Sequence, residues 1–175
     1  MGVMRVIRVW DEHNYDPHWR RFVRHASRAI IPMGDGRLAM VKSRKEDFYL
    51  FPGGGVKRGE SRIAALIRET REEAGLVVIR PTIKEYGMFR EVRKSIYDSE
   101  IFDQRTYYYL AEVQKRVLPQ KLEPYEKKLG LELELVDPYE ACRCNIEAAQ
   151  RLDHGFLRRE ISVLGDILEN GIAAD

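Results

Sequence analysis

Two cysteines in 175 residues leave nothing to build a disulfide framework from. They stand as Cys142-Arg143-Cys144, closer than the usual two-residue spacing of a metal or redox pair. Reduced thiols are the expectation, and with them a reduced, cytoplasmic setting. No apolar run approaches the ~18 residues of a membrane helix. Net charge is nearly absent. The 30 Lys and Arg against 28 Asp and Glu leave +2. A bulk field for nucleic acid is therefore not indicated, and nucleic acid is not an expected partner. The N-terminal MGVMRVIR lacks the apolar core of a signal peptide, and Val6 stands where a myristoylation signal needs Ser or Thr. Repeats and low-complexity segments are missing as well.

What is present fits one folded domain. Hydrophobic residues make up 44% and aromatics 10%, too much for a disordered chain. The length suffices to bury a core without staples. Residues 3–10 alternate enough for a strand, and 11–21 read as a polar loop. Residues 24–33 and 38–44 read as the two arms of a hairpin around Gly34-Asp35-Gly36-Arg37. A short strand and a glycine-rich loop follow over 47–59. A helix is expected over 61–74, with Ser61 at its start and Gly75 as its stop. Strands are expected at 82–93, 105–113 and 131–136, with a polar connection over 94–104 and a loop over 114–130. Helices are expected at 138–151 and 155–170, the last with Phe156, Ile161, Leu164, Ile167 and Leu168 on one stripe. Residues 1–21 are read as an extension and 22–175 as the domain. The mixture predicts an α/β fold with a mixed sheet between helical layers.

The segment GGVKRGESRIAALIRETREEAGL, from Gly54 to Leu76, carries the chemistry. Glu69 shares a helix face with Glu72 and with Glu73, at spacings of three and four. Such charges repel one another unless a cation is near. Carboxylate oxygens are hard ligands that suit Mg²⁺ or Mn²⁺. The Arg68 fork can hold Glu60, at the helix start, in a bidentate pair. Successive glycines before the helix let the backbone approach a ligand closely. The alternative is a solvated acidic helix after an ordinary tight turn.

Gly54, five residues, Glu60, seven residues, then Arg68-Glu69-Thr70-Arg71-Glu72-Glu73-Ala74-Gly75-Leu76 resembles the Nudix box. Its seven charged or glycine positions all match. With residues at roughly one in fifteen each, such a match arises by chance about once in 10⁸ starts. Thr70 is the one departure, at a position where the family has a larger apolar residue. Its hydroxyl is expected to bond back to the Leu66 carbonyl. Phe51-Pro52-Gly53-Gly54-Gly55-Val56 and LELELVDPYEA add to the resemblance, which covers roughly residues 22–170 by element order.

The resemblance implies a Nudix-type α/β/α sandwich with a mixed central sheet. It implies a Mg²⁺- or Mn²⁺-dependent hydrolase that breaks a phosphoanhydride in a nucleoside diphosphate linked to another group. ADP-ribose, sugar-nucleotide, dinucleoside-polyphosphate and nucleoside-triphosphate substrates all stay open. Glu69, Glu72 and Glu73 are carried over as metal ligands, and Glu69 or Glu73 as general base. Arg68 and Glu60 orient the site, and the Gly54 and Gly55 backbone approaches metal or phosphate. A further carboxylate is sought in Glu112, Glu123 or Glu126, with Glu126 preferred because it sits in a loop. Arg28 and Arg44 are the preferred phosphate contacts, with Lys57 and Arg90 behind them. Phe48, Tyr49 and Tyr86 are weighed as stacking residues and read as core. His13, His18 and His25 with Asp11 and Asp16 match no common zinc template. Trp10 and Trp19 flank the first polar loop, and a homodimer through the extension is an expectation. A non-catalytic Nudix-like module that binds a nucleotide metabolite is the competing reading. An isoprenyl-diphosphate isomerase is disfavoured by cysteines placed late in the chain.

Overall fold

The computed structural model describes residues 3–172. In chain order its elements are β1 (Val6–Asp11), β2 (Arg20–Ile30), β3 (Leu38–Ser43), β4 (Phe48–Leu50), β5 (Gly53–Gly55), α1 (Arg62–Ala74), β6 (Leu76–Val78), a 3-10 turn (Arg80–Thr82), β7 (Lys84–Lys94), β8 (Glu100–Leu110), β9 (Val113–Val117), α2 (Pro124–Leu129), β10 (Leu131–Val136), α3 (Pro138–Arg151) and α4 (Gly155–Asn170). The central sheet has the order β1-β7-β8-β2-β5. It is mixed: β1 with β7 and β2 with β8 run parallel, while β7 with β8 and β2 with β5 run antiparallel. A second sheet, β10-β3-β4, and the pair β6-β9 complete the strands among the described residues.

Burial on both faces explains why Ala29-Ile30 and Tyr107-Tyr108-Tyr109 run on without polar alternation, although Ser27, Asp103 and Thr106 are buried in the same two strands. In the run Tyr107-Tyr108-Tyr109, alternate side chains point to opposite faces. Tyr107 and Tyr109 enter a core with Leu66 and Ala74 of α1. Tyr108 enters another with Ala141 and Cys142 of α3 and Val163, Leu164 and Ile167 of α4. Helices thus flank the sheet on two sides. In α4 the buried stripe is Leu157, Val163, Leu164 and Ile167, and Leu168 lies outside it, 43% exposed.

Local signals set α1 accurately. The Ser61 hydroxyl accepts from the Ala64 N–H at 3.1 Å, satisfying a donor at the helix start. Gly75 ends the helix at φ 71°, and its N–H reaches the Arg71 carbonyl. A side chain there would also strike the Leu118 carbonyl oxygen, so glycine is required twice over. Asp137 caps α3 through the N–H groups of Tyr139 and Glu140, with Pro138 in the first turn.

The hairpin expected between residues 24–33 and 38–44 does not form as one. The turn is present, but among the described residues its arms are joined only close to it, by the isolated bridge Pro32–Leu38, the Met33 N–H to Arg37 carbonyl bond and the Ala39 N–H to Ile31 carbonyl bond. Beyond it β2 pairs with β8 and β5, while β3 pairs with β10 and β4. Two other expected strands begin late in the sequence reading. β2 starts at Arg20 and β8 at Glu100, so the polar connection shrinks to residues 95–99. The expected 114–130 loop contains most of β9 and all of α2. β1, read as part of an extension, is an edge strand of the central sheet, and Arg5 is paired to Asp166 of α4 at 2.6 Å.

Thr70 is wholly buried, and its hydroxyl has no hydrogen-bond partner among the described residues, so the expected bond to the Leu66 carbonyl is not made. Leaving a buried hydroxyl unpaired is unfavourable, while valine has nearly the same shape. Thr70→Val is expected to stabilise the fold by about 1 kcal/mol in urea denaturation. A loss of stability would mean that the hydroxyl is satisfied.

Candidate functional site

The site begins with a strand that has no side chains. Gly53, Gly54 and Gly55 form β5, at the edge of the central sheet against β2. Acidic residues of α1 lie on it. A Cβ at Gly54 would stand 2.6 Å from the Glu69 carboxyl carbon, a distance no side chain tolerates. At Gly53 it would strike the backbone of Ser27 and Arg28, and φ there is 148°. Glycine is thus what brings the Glu69 carboxylate onto the strand.

Glu73, one turn on, is 6% exposed. Its Oε2 accepts the Gly53 N–H at 3.0 Å. Burial pushes its pKa up to about 8, and the charges of Glu126 and Glu69 act in the same direction. The Arg28 guanidinium and the Gly53 N–H oppose that rise without overcoming it. The Glu73 carbonyl accepts from the Gln120 side chain, which ties the following loop to the end of α1.

Arg68 organises the other carboxylates. It grips Glu60 with two bonds, Nε to Oε1 and Nη2 to Oε2, both 2.8 Å. Its Nη1 reaches Glu69 and, at 3.4 Å, Glu72. Its Nη2 also donates to the Gly55 carbonyl at 3.1 Å, so one guanidinium joins helix, strand and loop. The Arg68 bond, followed by the Lys57 N–H, holds the Glu60 carboxyl down at about 2.

These elements border a cleft of about 530 Å³. One wall carries Glu69 and Glu73 from α1 and Glu123 and Glu126 from the start of α2. Another carries Arg24 and Arg28 of β2, Glu91 and Arg93 of β7, Phe102 and Gln104 of β8, and Arg159 of α4. Leu50, Tyr125, Leu129, Leu131 and Phe156 make an apolar part. Glu123 and Glu126 are fixed by a capping box, in which Glu126 accepts the Glu123 N–H at 2.7 Å.

Of the residues singled out in the sequence, Gly54, Gly55, Glu69, Glu73, Glu123, Glu126 and Arg28 meet at this cleft. Arg68 and Glu60 stand behind it. Glu72 is not on its wall. Arg44 is not brought to it either, being held by Glu132 at 2.7 Å and Glu134 at 2.9 Å. Arg90 is bound to Asp103, Tyr86 to Asp166 and Tyr49 to Glu134, and Phe48 is wholly buried. Glu112 and Lys57 lie off the wall. Cys142 and Cys144 are free thiols. His25 stacks on Tyr107, and His13 stands 3.6 Å from Asp11.

Sequence reasoning missed Arg24, Glu91, Arg93, Phe102 and Gln104. The signal was their spacing: 24 with 28, 91 with 93 and 102 with 104 fall on one face of a strand. For Phe102 and Gln104 it was hidden because 94–104 read as a polar connection; Arg24, Glu91 and Arg93 lay in expected strands, where no local signal shows which face meets the cleft.

The cleft acids offer only hard oxygen donors, and the bare backbone at Gly54 gives them room, so the residues suit a divalent cation of the Mg²⁺ kind. Among the described residues, no group of three or more Asp, Glu, His or Cys side chains has gathered as a metal shell. Arg68 is instead the cation next to Glu69.

Fold and site together define a class: an α/β protein whose mixed sheet ends in a glycine strand beneath an acidic helix. The NUDIX domain model matches residues 23–159, and the chain belongs to the Nudix family. An RNA pyrophosphohydrolase of Halorhodospira halophila is 45% identical over 47 residues, 27% of this chain and 26% of that protein. The uncharacterized Nudix hydrolase YvcI of Bacillus subtilis is 32% identical over 73 residues, 42% of this chain and 44% of that protein. Each match spans less than half of the relative's length. A NUDIX hydrolase from Nitrosomonas europaea has a similar fold, with a TM-score of 0.55 at 16% identity, over 83% of this chain and 90% of that one. A MutT mutator protein from Bacillus halodurans matches at 0.51 and 18% identity, over 81% and 82%.

The raised Glu73 pKa makes metal-free stability depend on pH. Below pH 4.5, the ordinary carboxyl value, folded and unfolded chains both hold the proton. Between there and about 8 the unfolded chain has lost it and the folded chain keeps it, so stability falls as pH rises. In metal-free protein, Glu73→Gln is expected to be more stable than the parent at pH 8 by about 2 kcal/mol or more, the gap closing towards pH 5. Urea unfolding at the two pH values checks this.

Proposed function

We propose that the chain is a divalent-metal-dependent hydrolase that adds water across a phosphoanhydride bond of a nucleotide-like diphosphate. The observation that carries this reading is the Glu69 carboxylate on the bare Gly54 backbone, with buried Glu73 beside it. Glu69, Glu73 and Glu126 would hold Mg²⁺ or Mn²⁺, which when bound supplies positive charge to neutralise the diphosphate and the leaving oxygen. Glu72 would join them only by turning from its place outside the wall. Arg68 and Glu60 position Glu69 and the β5 carbonyl. Arg28 faces the anionic substrate from the opposite wall. Glu69 or Glu73 takes the proton of the attacking water. The apolar part with exposed Tyr125 suits a nucleobase. The pyrophosphohydrolase named among the relatives agrees with this chemistry.

The described residues include no helix long and apolar enough to cross a membrane, which accords with a small-molecule substrate reached from water. A panel of nucleoside diphosphate derivatives and triphosphates, with Mg²⁺ or Mn²⁺, tests the proposal through release of phosphate, pyrophosphate or monophosphate. Turnover is expected with the parent chain. Glu73→Gln and Glu69→Gln should each lower kcat by about 10²-fold or more while the circular dichroism spectrum is kept. Full activity in both variants would overturn the assignment. Binding without turnover across the panel would favour the non-catalytic module.

A further inference from the structure

Four arginines face the cleft, but their charges are not equally matched. Arg93 is paired with Glu91 and Arg159 with Glu160, each at 2.8 Å. Arg24 and Arg28 form no ion pair among the described residues. Arg28 donates to the neutral Phe51 carbonyl, and its Nε is buried without a partner. Its charge nonetheless acts on Glu73. Arg24 is the less matched of the two. Its hydrogen bond goes to the neutral Gln104 Oε1 at 2.6 Å. Part of the side chain is open to solvent, but lost hydration, then the like charges of Arg28 and Arg159, still disfavour its charged form, and Glu69 relieves it only in part. Glu69 itself is held by Arg68.

Position says what Arg24 is for. Its guanidinium lies over Gly55, with Nη2 3.1 Å from where a Cβ would stand, while the Glu69 carboxylate lies over Gly54. Neighbouring residues of a strand face opposite ways, so β5 divides an acidic wall from a basic one. The acidic side is where a cation would take the scissile diphosphate. The basic side lies beyond it. A guanidinium has five N–H donors, and most of those on Arg24 are unused. This end of the cleft offers little to a base, because the Phe102 ring is already covered by the Arg93 guanidinium at 4.5 Å. The Gln104 amide is spent on Arg24 and on Thr106. Charge is what is left to recognise.

We infer that Arg24 seats a phosphate beyond the scissile diphosphate, so that the cleft selects linear chains of three or more phosphates over diphosphates closed by a neutral sugar. The inference rests on the phosphoanhydride-hydrolase reading for its biology, but its test does not need turnover. Calorimetry on the full chain, with EDTA, compares inorganic tripolyphosphate with inorganic pyrophosphate. Both probes meet the same acidic wall, so the change in their affinity ratio between the parent chain and the Arg24 variants isolates what Arg24 contributes. The parent chain should prefer tripolyphosphate by about tenfold or more, as a charge-assisted bidentate contact would give. Arg24→Gln should reduce the preference to about twofold or less, and Arg24→Lys should keep part of it, as a charge without the fork. Arg24→Met keeps the stem against the sheet and replaces Arg24→Gln should the latter unfold; it should lose the preference too. Equal affinities in the parent chain, or an intact preference in Arg24→Gln or Arg24→Met, would overturn the inference. Should the preference be seen and hydrolysis with Mg²⁺ fail for every chain tried, the hydrolase reading falls and the phosphate seat stands.

Discussion

A carboxylate resting on bare backbone is the contact from which the site is built. Glu69 can lie against β5 because Gly54 has no Cβ, and a Cβ would sit 2.6 Å from its carboxyl carbon. That approach seats the Glu69 carboxylate on the strand, within the packing of α1 on the edge of the sheet. The packing of α1 on β5 brings Glu73 deep enough to accept the Gly53 N–H and to lose nearly all contact with water. It also places Arg68 where a single guanidinium spans Glu60, Glu69 and the Gly55 carbonyl. Helix caps at Ser61 and Gly75 hold the helix ends, so the register of these side chains does not drift.

Electrostatics follow from that packing. Crowding acids against a sheet edge is unfavourable unless positive charge is near. Arg68 supplies it from behind, and Arg28 from the opposite wall. Glu73 yields instead, its pKa raised to about 8 because burial outweighs both Arg28 and the Gly53 N–H. The result is a cleft with two signs of charge on either side of a strand three residues long. A phosphate chain bound with a cation has the same alternation. The near-neutral total of the whole chain conceals this separation.

Much of this was legible before any coordinates. The box from Gly54 to Leu76, Ser61, Gly75 and the period of α1 are local signals, and local signals survive folding. The Arg68–Glu60 fork could be read from residue type and spacing. Less legible was whatever depends on sheet partners. The 34–37 turn looked like a hairpin because turn chemistry is local, whereas the sorting of β2 and β3 into different sheets is decided by β8 and β10. Arg20, Arg21 and the run Glu100–Gln104 read as loop because their surroundings are polar. They belong to strands, and Arg24, Phe102 and Gln104 line the cleft there, Arg24 exposed and Gln104 buried. Arg44 could not be excluded from the site without knowing that Glu132 and Glu134 lie across the strand from it.

The account depends on Glu69 and Gly54 touching, and cation affinity measures that contact most directly. A Mn²⁺ titration of the parent chain and of Gly54→Ala, both checked for folding by thermal melting, reads it. A methyl group at position 54 should push the Glu69 carboxylate away and weaken Mn²⁺ binding by about tenfold or more, with the fold retained. Equal Mn²⁺ affinity in a folded Gly54→Ala protein would contradict the account.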